Sequence, residues 1–242
     1  MRPERPAQAE HLTTRTGITP ISTESQSLVD RVSHAVRRAI LEGRLRPGEA
    51  LSISDLARDL GVSLSPVREA LQRLSGQGLV LLRPARTAIV APLELSDLQE
   101  LYRLRRLIEV DAAARAAPML GDEQLSRLER ELHAMSDRAV DSEEFWNHHN
   151  GFHRTLLEPV LTARTERLIT ELWQAVERYL RIVYIETDAL FERTPHERHS
   201  PLLDAARTRD PDAVASALTA HLESNEREVV KSLQQSIATP GR

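Results

Sequence analysis

The stretch from Leu56 to Val90, LARDLGVSLSPVREALQRLSGQGLVLLRPARTAIV, constrains the fold of this chain more than any other segment. Its apolar residues repeat with helical spacing on both sides of a Gly-Val turn, which predicts two helices joined by a short connection. Two short β-like apolar runs follow, with a basic, proline-containing tip between them. This order is typical of a winged helix-turn-helix, whose second helix fits the major groove of DNA.

The polar residues of this stretch predict where its helices begin and end. Ser54 is expected to cap a short helix that ends at Gly61. Ser63 or Ser65 is expected to cap the next helix, and Pro66 in its first turn costs no backbone hydrogen bond. The predicted strands and wing tip are Leu79–Leu82, Ala88–Val90 and, between them, residues 83–87.

Composition limits the compartment in which the chain works. No apolar run approaches the roughly 18 residues of a spanning helix, so we expect no membrane partner. The N-terminal segment lacks the apolar core of an export signal. The absence of cysteine excludes disulfides and cysteine-ligated metals, and it is consistent with a reducing compartment. We therefore expect a cytoplasmic protein.

Charge and periodicity divide the chain into three parts. Residues 1–25 are polar and aperiodic, which predicts a disordered arm. Residues 26–91, the expected DNA-binding domain, contain ten arginines and six acidic residues, whereas residues 92–242 carry a net charge of −8. Residues 96–235 have only helical patterns, so the expected fold is mainly α: an N-terminal winged helix-turn-helix plus a C-terminal all-helical antiparallel bundle. The expected bundle helices are 97–117, 122–138, 142–158, 165–187, 196–209 and 211–235.

The second helix of the motif carries the side chains that suit DNA. Arg68 near its start can donate two hydrogen bonds to guanine O6 and N7. Ser63 and Ser65, with the free amides of the helix N-terminus, suit phosphate oxygens. Arg73 can reach the DNA backbone, and Arg86 at the wing tip can reach the minor groove or its phosphates. The candidate DNA contacts are Ser54, Ser63, Ser65, Pro66, Arg68, Arg73 and Arg86.

Spacing alone leaves two other uses of this element open: contact with another protein, or pairing of an arginine with an acid such as Glu69. The segment LEGRLRPGEALSISDLARDLGVSLSPVREALQRLSGQGLV, residues 41–80, resembles the DNA-binding region of GntR-type bacterial transcription regulators. The resemblance extends over about forty residues without a gap. It implies that Arg68 reads bases while Ser65 and the wing hold the DNA backbone.

Two positions depart from the pattern of that family. Leu64 stands where the family usually has an arginine, which implies that one base or phosphate contact is missing or supplied by another residue. Thr87 stands where the wing usually has a glycine, which leaves the wing geometry open. The operator sequence therefore does not follow from that of relatives.

Four of the nine histidines lie in phase with the apolar stripes of three predicted helices. His149 and His153 are four residues apart on one helix, and His199 and His221 lie on two others. The remaining five lie off these stripes or in the N-terminal tail. The sequence thus directs four imidazoles toward one bundle core.

Burial of four imidazoles creates a demand for polar partners. A divalent cation meets that demand directly, because neutral imidazole nitrogens are metal ligands. Zn²⁺ suits a nitrogen-rich site best, and Ni²⁺, Fe²⁺ or Mn²⁺ remain alternatives. The other interpretation is that each histidine is a separate core residue bonded to a carbonyl or carboxylate.

Residues 96–235 also resemble the all-helical effector domain of the FadR-like GntR branch, known as the FCD domain. The matching segments are LYRLRRLIEVDAAARAA, Phe152-His153, and the histidines His199 and His221 with Asp210 between them. The resemblance implies that His153, His199 and His221 are metal ligands. The fourth ligand in the family is usually an acid, and here His149 occupies that position. The replacement makes the site more positive by one charge.

A metal beside a pocket suggests a small carboxylate effector, because a cation with an open coordination position binds organic acids. Arg105 matches a family position that often faces the cavity, and it can hold a carboxylate with two hydrogen bonds. Arg178, in the W-x3-E-R-Y segment, is a second candidate. The competing interpretation of these arginines is a surface salt bridge, for example from Arg105 to Glu109.

These features predict a non-enzymatic, metabolite-responsive regulator, expected to be a repressor, that binds double-stranded DNA with two-fold symmetry as a homodimer. A metal-dependent hydrolase is a competing prediction, since a histidine cluster can activate water. The pair His149 and His153 nevertheless lacks the glutamate of an H-E-x-x-H motif, because Asn150 stands at that position. A third prediction keeps the DNA module and makes the bundle a dimerisation unit without a ligand.

Overall fold

The structure is a computed structural model that describes residues 27–83, 87–138, 142–187 and 194–238, with the side chains of 182–187 and 236–238 outside that description. The disordered arm predicted for residues 1–25 and the DNA contact predicted for Arg86 lie outside the described residues.

The N-terminal domain is a winged helix-turn-helix, as the sequence predicts. Its elements are α1 (Leu28–Leu41), β1 (Ala50–Ser52), α2 (Ile53–Leu60), α3 (Leu64–Gly76), β2 (Val80–Arg83) and β3 (Thr87–Val90). The three strands form an antiparallel sheet in the order β1-β3-β2. The three-residue strand β1 is absent from the sequence prediction, because so short a segment shows no alternation. It pairs through Leu51 with Ala88 and closes the sheet against the helices.

The start of α2 corrects the predicted cap. Ser52 is the N-cap, and its side chain accepts a hydrogen bond from the Asp55 backbone amide at 3.3 Å. Ser54 lies two residues after the cap, inside the first turn of α2, and its hydroxyl hydrogen-bonds the Ser52 hydroxyl at 2.9 Å. At the other end, Gly61 has a φ of 65°, the left-handed conformation that a tight helix-to-helix turn requires.

The recognition helix α3 begins after Ser63, whose side chain makes no capping hydrogen bond. The Ser65 hydroxyl donates to the Glu69 carboxylate at 3.2 Å. Pro66, Val67 and Leu71 are buried against α1 and the sheet. The helix thus presents one face to the core and leaves the other exposed.

The C-terminal domain is an all-helical antiparallel bundle, which confirms the predicted fold class. Its helices are α4 (Leu95–Arg105), α5 (Asp111–Ala116), α6 (Asp122–Ser136), α7 (Glu143–Leu157), α8 (Ala163–Thr187), α9 (Pro195–Thr208) and α10 (Pro211–Ala238). A π-helical turn, Arg106–Val110, divides the helix predicted for 97–117. Apolar periodicity does not register such a local widening of a helix. In the described parts of the chain, no helix combines the length and apolarity needed to cross a bilayer.

The bundle core is built mainly from aromatic and leucine side chains that the helices of this domain direct inward. Tyr102, Phe152, Tyr179 and Leu156 are completely or almost completely buried. Helix α10 packs along α4, α5, α8 and α9, so it forms the central contact surface of the domain. Side chains that face inward from α7, α9 and α10 therefore meet in one place.

We predict that Ser52→Ala destabilises the N-terminal domain by about 1 kcal/mol, because it leaves an amide at the start of α2 without its cap. The matched variant Ser54→Ala removes the same hydroxyl two residues later and is expected to change stability by less than about 0.5 kcal/mol. Urea denaturation of both variants measures the difference. A larger loss for Ser54→Ala than for Ser52→Ala would contradict the assigned cap.

Candidate functional site

The exposed face of α3 offers side chains to a ligand. Arg68, Ser63 and Ser65 are all exposed on this face, and Leu64 is 40% exposed between the two serines. In the described residues, the ion pairs of this domain do not include Arg68. The alternative pairing of Arg68 with Glu69 is therefore not what the structure has, and the guanidinium faces solvent.

Three other predicted DNA contacts lie elsewhere. Pro66 is buried, so its ring contributes to the domain core and is not on the exposed face. Ser54 is exposed in the first turn of α2. Arg73 forms an ion pair with Asp30 that connects α3 to α1, and the hydrogen bond from Arg73 is the main reason why the pKa of Asp30 is lowered.

The four predicted histidines meet in the bundle core. His149 and His153 come from α7, His199 from α9 and His221 from α10, and all four side chains are buried. One ring nitrogen from each can be chosen so that all four lie within 4.8 Å of one another. The rings of His199 and His221 are closest, with centroids 4.5 Å apart. The helical phase of the sequence therefore identified this cluster correctly.

Hydrogen bonds at the outer nitrogens orient two of these rings. His199 Nδ1 lies 2.8 Å from the Pro195 carbonyl, and His221 Nδ1 lies 3.1 Å from the Arg198 carbonyl. A carbonyl only accepts, so both Nδ1 atoms carry the proton and both Nε2 atoms have a lone pair. His149 Nδ1 lies 3.3 Å from the side-chain oxygen of Asn150.

Two inner nitrogens are left without a hydrogen-bond partner. Within the described residues, His153 Nε2 and His199 Nε2 are fully buried and unpaired. Buried polar atoms are rarely left in this state, so each such atom calls for an explanation such as an ion. Unpaired ring nitrogens at this position are what a nitrogen-ligated metal requires.

The cluster is electrically neutral at neutral pH. Burial lowers the pKa of His199 to about 4, and it lowers the pKa of His149, His153 and His221 well below the usual value. The proximity of the rings to one another lowers the pKa of His149, His153 and His221 further, because a proton on one disfavours a proton on the next. No proton therefore has to leave before these nitrogens bind a metal.

The two predicted effector arginines lie in different places. Arg105 is buried and forms an ion pair with Glu109, with Nε 2.6 Å from the carboxylate. The competing interpretation therefore named the right partner for Arg105, Glu109, but this ion pair lies inside the bundle and not on its surface. Arg178 does not reach the histidine cluster. Its guanidinium donates to the backbone carbonyls of Gly78 and Ala91 in the region of the wing.

The structure adds two polar residues to the cluster that the sequence did not suggest. Asn225, one turn after His221, places its side-chain nitrogen 3.2 Å from His221 Nε2. Arg198, next to His199 in sequence, pairs with Glu228 at 2.7 Å and bonds Asn225. The spacing of four residues between His221 and Asn225 was the available signal for this neighbour.

A small cavity adjoins His149 and His199. Its volume is about 30 Å³, and Arg198, Asn225 and Trp146 are also among the residues that line it. Since a water needs roughly 10–15 Å³ of such space, the cavity holds about two waters. Trp146 also lines a second, open cleft of about 900 Å³ between the two domains. This indole therefore contributes to the walls of both spaces.

Comparison with known proteins agrees with both domains. The FCD domain model matches residues 100–224, and the model for bacterial regulatory proteins of the gntR family matches residues 28–90. The HTH-type transcriptional regulator BphR of Paraburkholderia xenovorans is 32% identical over 209 residues, which are 83% of this chain and 84% of BphR. The HTH-type transcriptional repressor RspR of Escherichia coli is 28% identical over 217 residues, 87% of this chain and 91% of RspR.

Among solved structures, Escherichia coli McbR/YncC superimposes with a TM-score of 0.68 at 25% identity, over 87% of this chain and 99% of that chain. The residues matched by the two family models include the recognition helix α3 and all four histidines of the cluster. The chain belongs to the GntR family of bacterial regulatory proteins and is a DNA-binding transcriptional regulator with an FCD domain.

Proposed function

We propose that this regulator binds a divalent metal, most favourably Zn²⁺, through His149, His153, His199 and His221, and that a small carboxylate effector acts at that site. The observation that carries the proposal is the convergence of four buried ring nitrogens, two of them unpaired. Neutral imidazoles at such proximity match the ligand preference of zinc and of other borderline transition metals.

The outer hydrogen bonds of the cluster support the same assignment. Metal-bound histidines usually donate their second ring nitrogen to a carbonyl or carboxylate, which fixes the tautomer and the ring orientation. The carbonyls of Pro195 and Arg198 serve His199 and His221 in this way. Asn225 bonds the inner nitrogen of His221 in this structure, so its side chain would have to turn away when that nitrogen becomes a ligand.

The charges around the cluster favour an anionic effector. Four neutral imidazoles leave the full charge of a divalent cation uncompensated, whereas a carboxylate ligand would cancel part of it. Arg105 and Arg198 each pair with a carboxylate, and both nevertheless add to the effect of burial in lowering the pKa of His199, so their guanidinium groups lie near the cluster. A bound metal would supply Lewis acidity and an attachment point for a carboxylate oxygen. Arg198, which lines the small cavity, could hold the other oxygen.

The size of the cavity implies a conformational change when the effector binds. Space for about two waters does not admit an organic acid of several carbon atoms. Movement of Trp146 would join the small cavity to the interdomain cleft. An effector that binds the opened form better than the closed form would shift the population between them.

We further propose that Arg68 reads base edges from α3 and that Ser63 and Ser65 hold phosphates beside it. Their shared exposure on one face of the helix supports this assignment. A single recognition helix reads only a few base pairs, so the proposal includes a homodimer on a two-fold operator.

For the metal, we predict that His199→Ala loses stoichiometric zinc binding, because it removes one of four converging ligands. His148→Ala is the matched control. His148 neighbours His149 but bonds Glu131 at 2.8 Å outside the cluster. Elemental analysis and the zinc-dependent rise in melting temperature measure both variants. Equal zinc content in the two variants would contradict the proposed ligand set, and wild-type protein without zinc affinity would favour a bundle that only dimerises.

For DNA, the operator used is the duplex that the wild-type chain selects from a random pool. We predict that Arg68→Ala weakens binding to this operator by roughly 1–3 kcal/mol, the value of one bidentate base contact. Arg68→Lys keeps the charge but loses the planar fork, so it should retain affinity for random duplex while it loses discrimination. Fluorescence anisotropy with operator and scrambled DNA measures both. Undiminished discrimination by Arg68→Ala would contradict this assignment.

A further inference from the structure

We propose that three consecutive residues of α8, Glu177, Arg178 and Tyr179, position the DNA-binding domain and couple its orientation to the histidine cluster. We call them the α8 clasp. The coupling half of this inference rests on the proposed function, because it takes the cluster as the site that senses a ligand. The positioning half rests on the contacts alone.

Arg178 holds the two ends of the wing hairpin. Its Nη1 lies 3.1 Å from the Gly78 carbonyl and 3.2 Å from the Ala91 carbonyl. Gly78 lies between the recognition helix and β2, and Ala91 directly follows β3. The guanidinium is buried, so these two hydrogen bonds form away from water and are expensive to leave unmade. One side chain of the effector domain thus fixes the base of the DNA-reading element.

The other two residues of the clasp hold the linker between the domains and α1 of the DNA-binding domain. The Tyr179 hydroxyl accepts from the Glu94 backbone amide at 3.3 Å and donates to the Asp97 carboxylate at 2.6 Å. It therefore fixes the linker where the chain enters α4. Glu177 pairs with Arg37 of α1 at 3.3 Å, and its carboxylate is buried. The clasp touches α1, the wing and the linker from one turn of α8.

Beside the clasp, an open cleft lies between the two domains. The cleft of about 900 Å³ separates α1 from α7. A contact between His34 Nε2 and the Glu143 carboxylate crosses the cleft at 3.8 Å, but both side chains are more than 60% exposed. Exposed pairs of this kind contribute little to stability. The buried polar contacts that fix the domain orientation are therefore concentrated on the clasp.

The same face of α8 also contacts the histidine cluster. Trp173, one turn before Glu177, has its ring centroid 6.1 Å from that of His153. Arg181, one turn after Glu177, bonds Glu177 at 2.7 Å and places its guanidinium 5.5 Å from the Trp146 ring centroid. Trp146 in turn lies 5.2 Å from His149. Any displacement of the cluster histidines on binding thus reaches the clasp through side chains in contact with α8.

The first test compares Arg178→Ala with Arg167→Ala, a matched control that removes an exposed arginine from the same helix. Zinc alone is the probe, and the DNA is the duplex that the wild-type full-length chain selects from a random pool. The measured quantity is the ratio of the Kd for DNA without zinc to the Kd with zinc. For wild type and Arg167→Ala we expect a ratio that departs from one by a factor of roughly 5–150, in either direction.

For Arg178→Ala we expect the ratio to approach one while zinc content stays at the wild-type level. An unchanged ratio in Arg178→Ala overturns the coupling, and so does a wild-type ratio of one in protein that does bind zinc. If the wild-type protein binds no zinc, the proposed function fails and the coupling fails with it. The positioning role is then decided by a separate measurement.

That measurement is calorimetric and needs no ligand. Tyr179→Phe keeps the buried ring and removes only the hydroxyl that holds Glu94 and Asp97, so it preserves the bundle core. We expect wild type and Arg167→Ala to unfold in one cooperative transition, and Tyr179→Phe and Arg178→Ala to separate the two domains into distinct transitions. A single transition that coincides with the wild type in both variants overturns the positioning role.

Discussion

The need to satisfy buried imidazole nitrogens is the constraint on which the effector domain depends. Four rings from α7, α9 and α10 occupy the centre of the bundle, where desolvation keeps them neutral. Backbone carbonyls satisfy the outer nitrogens of two rings, but no described group satisfies the inner nitrogens of His153 and His199. An apolar core of the same volume would carry no such cost, and this unmet demand is the main support for the proposed cation site.

Helix α8 gives that site a mechanical connection to the DNA-binding domain. One face of this helix carries Trp173 against the cluster and Glu177 against α1, one helical turn apart. Since a helix transmits small displacements along its length with little internal change, α8 is the physical link in the proposed coupling between the histidine cluster and the recognition helix. The small cavity beside the cluster and the large cleft between the domains, both lined by Trp146, provide space for the two arrangements that a switch requires.

Features encoded by periodicity and local motifs were accessible from the sequence. The phase of His149, His153, His199 and His221 placed them in one core, and the structure brings them together. Features that depend on packing between domains were not accessible. The sequence did not indicate that Arg178 binds the base of the wing, because that contact depends on how α8 packs against the DNA-binding domain. Similarly, the buried location of the Arg105–Glu109 pair depends on how the helices pack around it. The cap of α2 is Ser52, the last residue of the three-residue strand β1, which the sequence pattern did not reveal.

The coordination of zinc by four imidazoles is the central claim, and X-ray absorption spectroscopy of the zinc-loaded full-length protein tests it most directly. The account predicts a first shell made only of light atoms, at roughly 2.0–2.1 Å, with the multiple-scattering pattern of several imidazole rings. A shell of six oxygens without ring scattering would show that the metal is held elsewhere, and it would contradict the account.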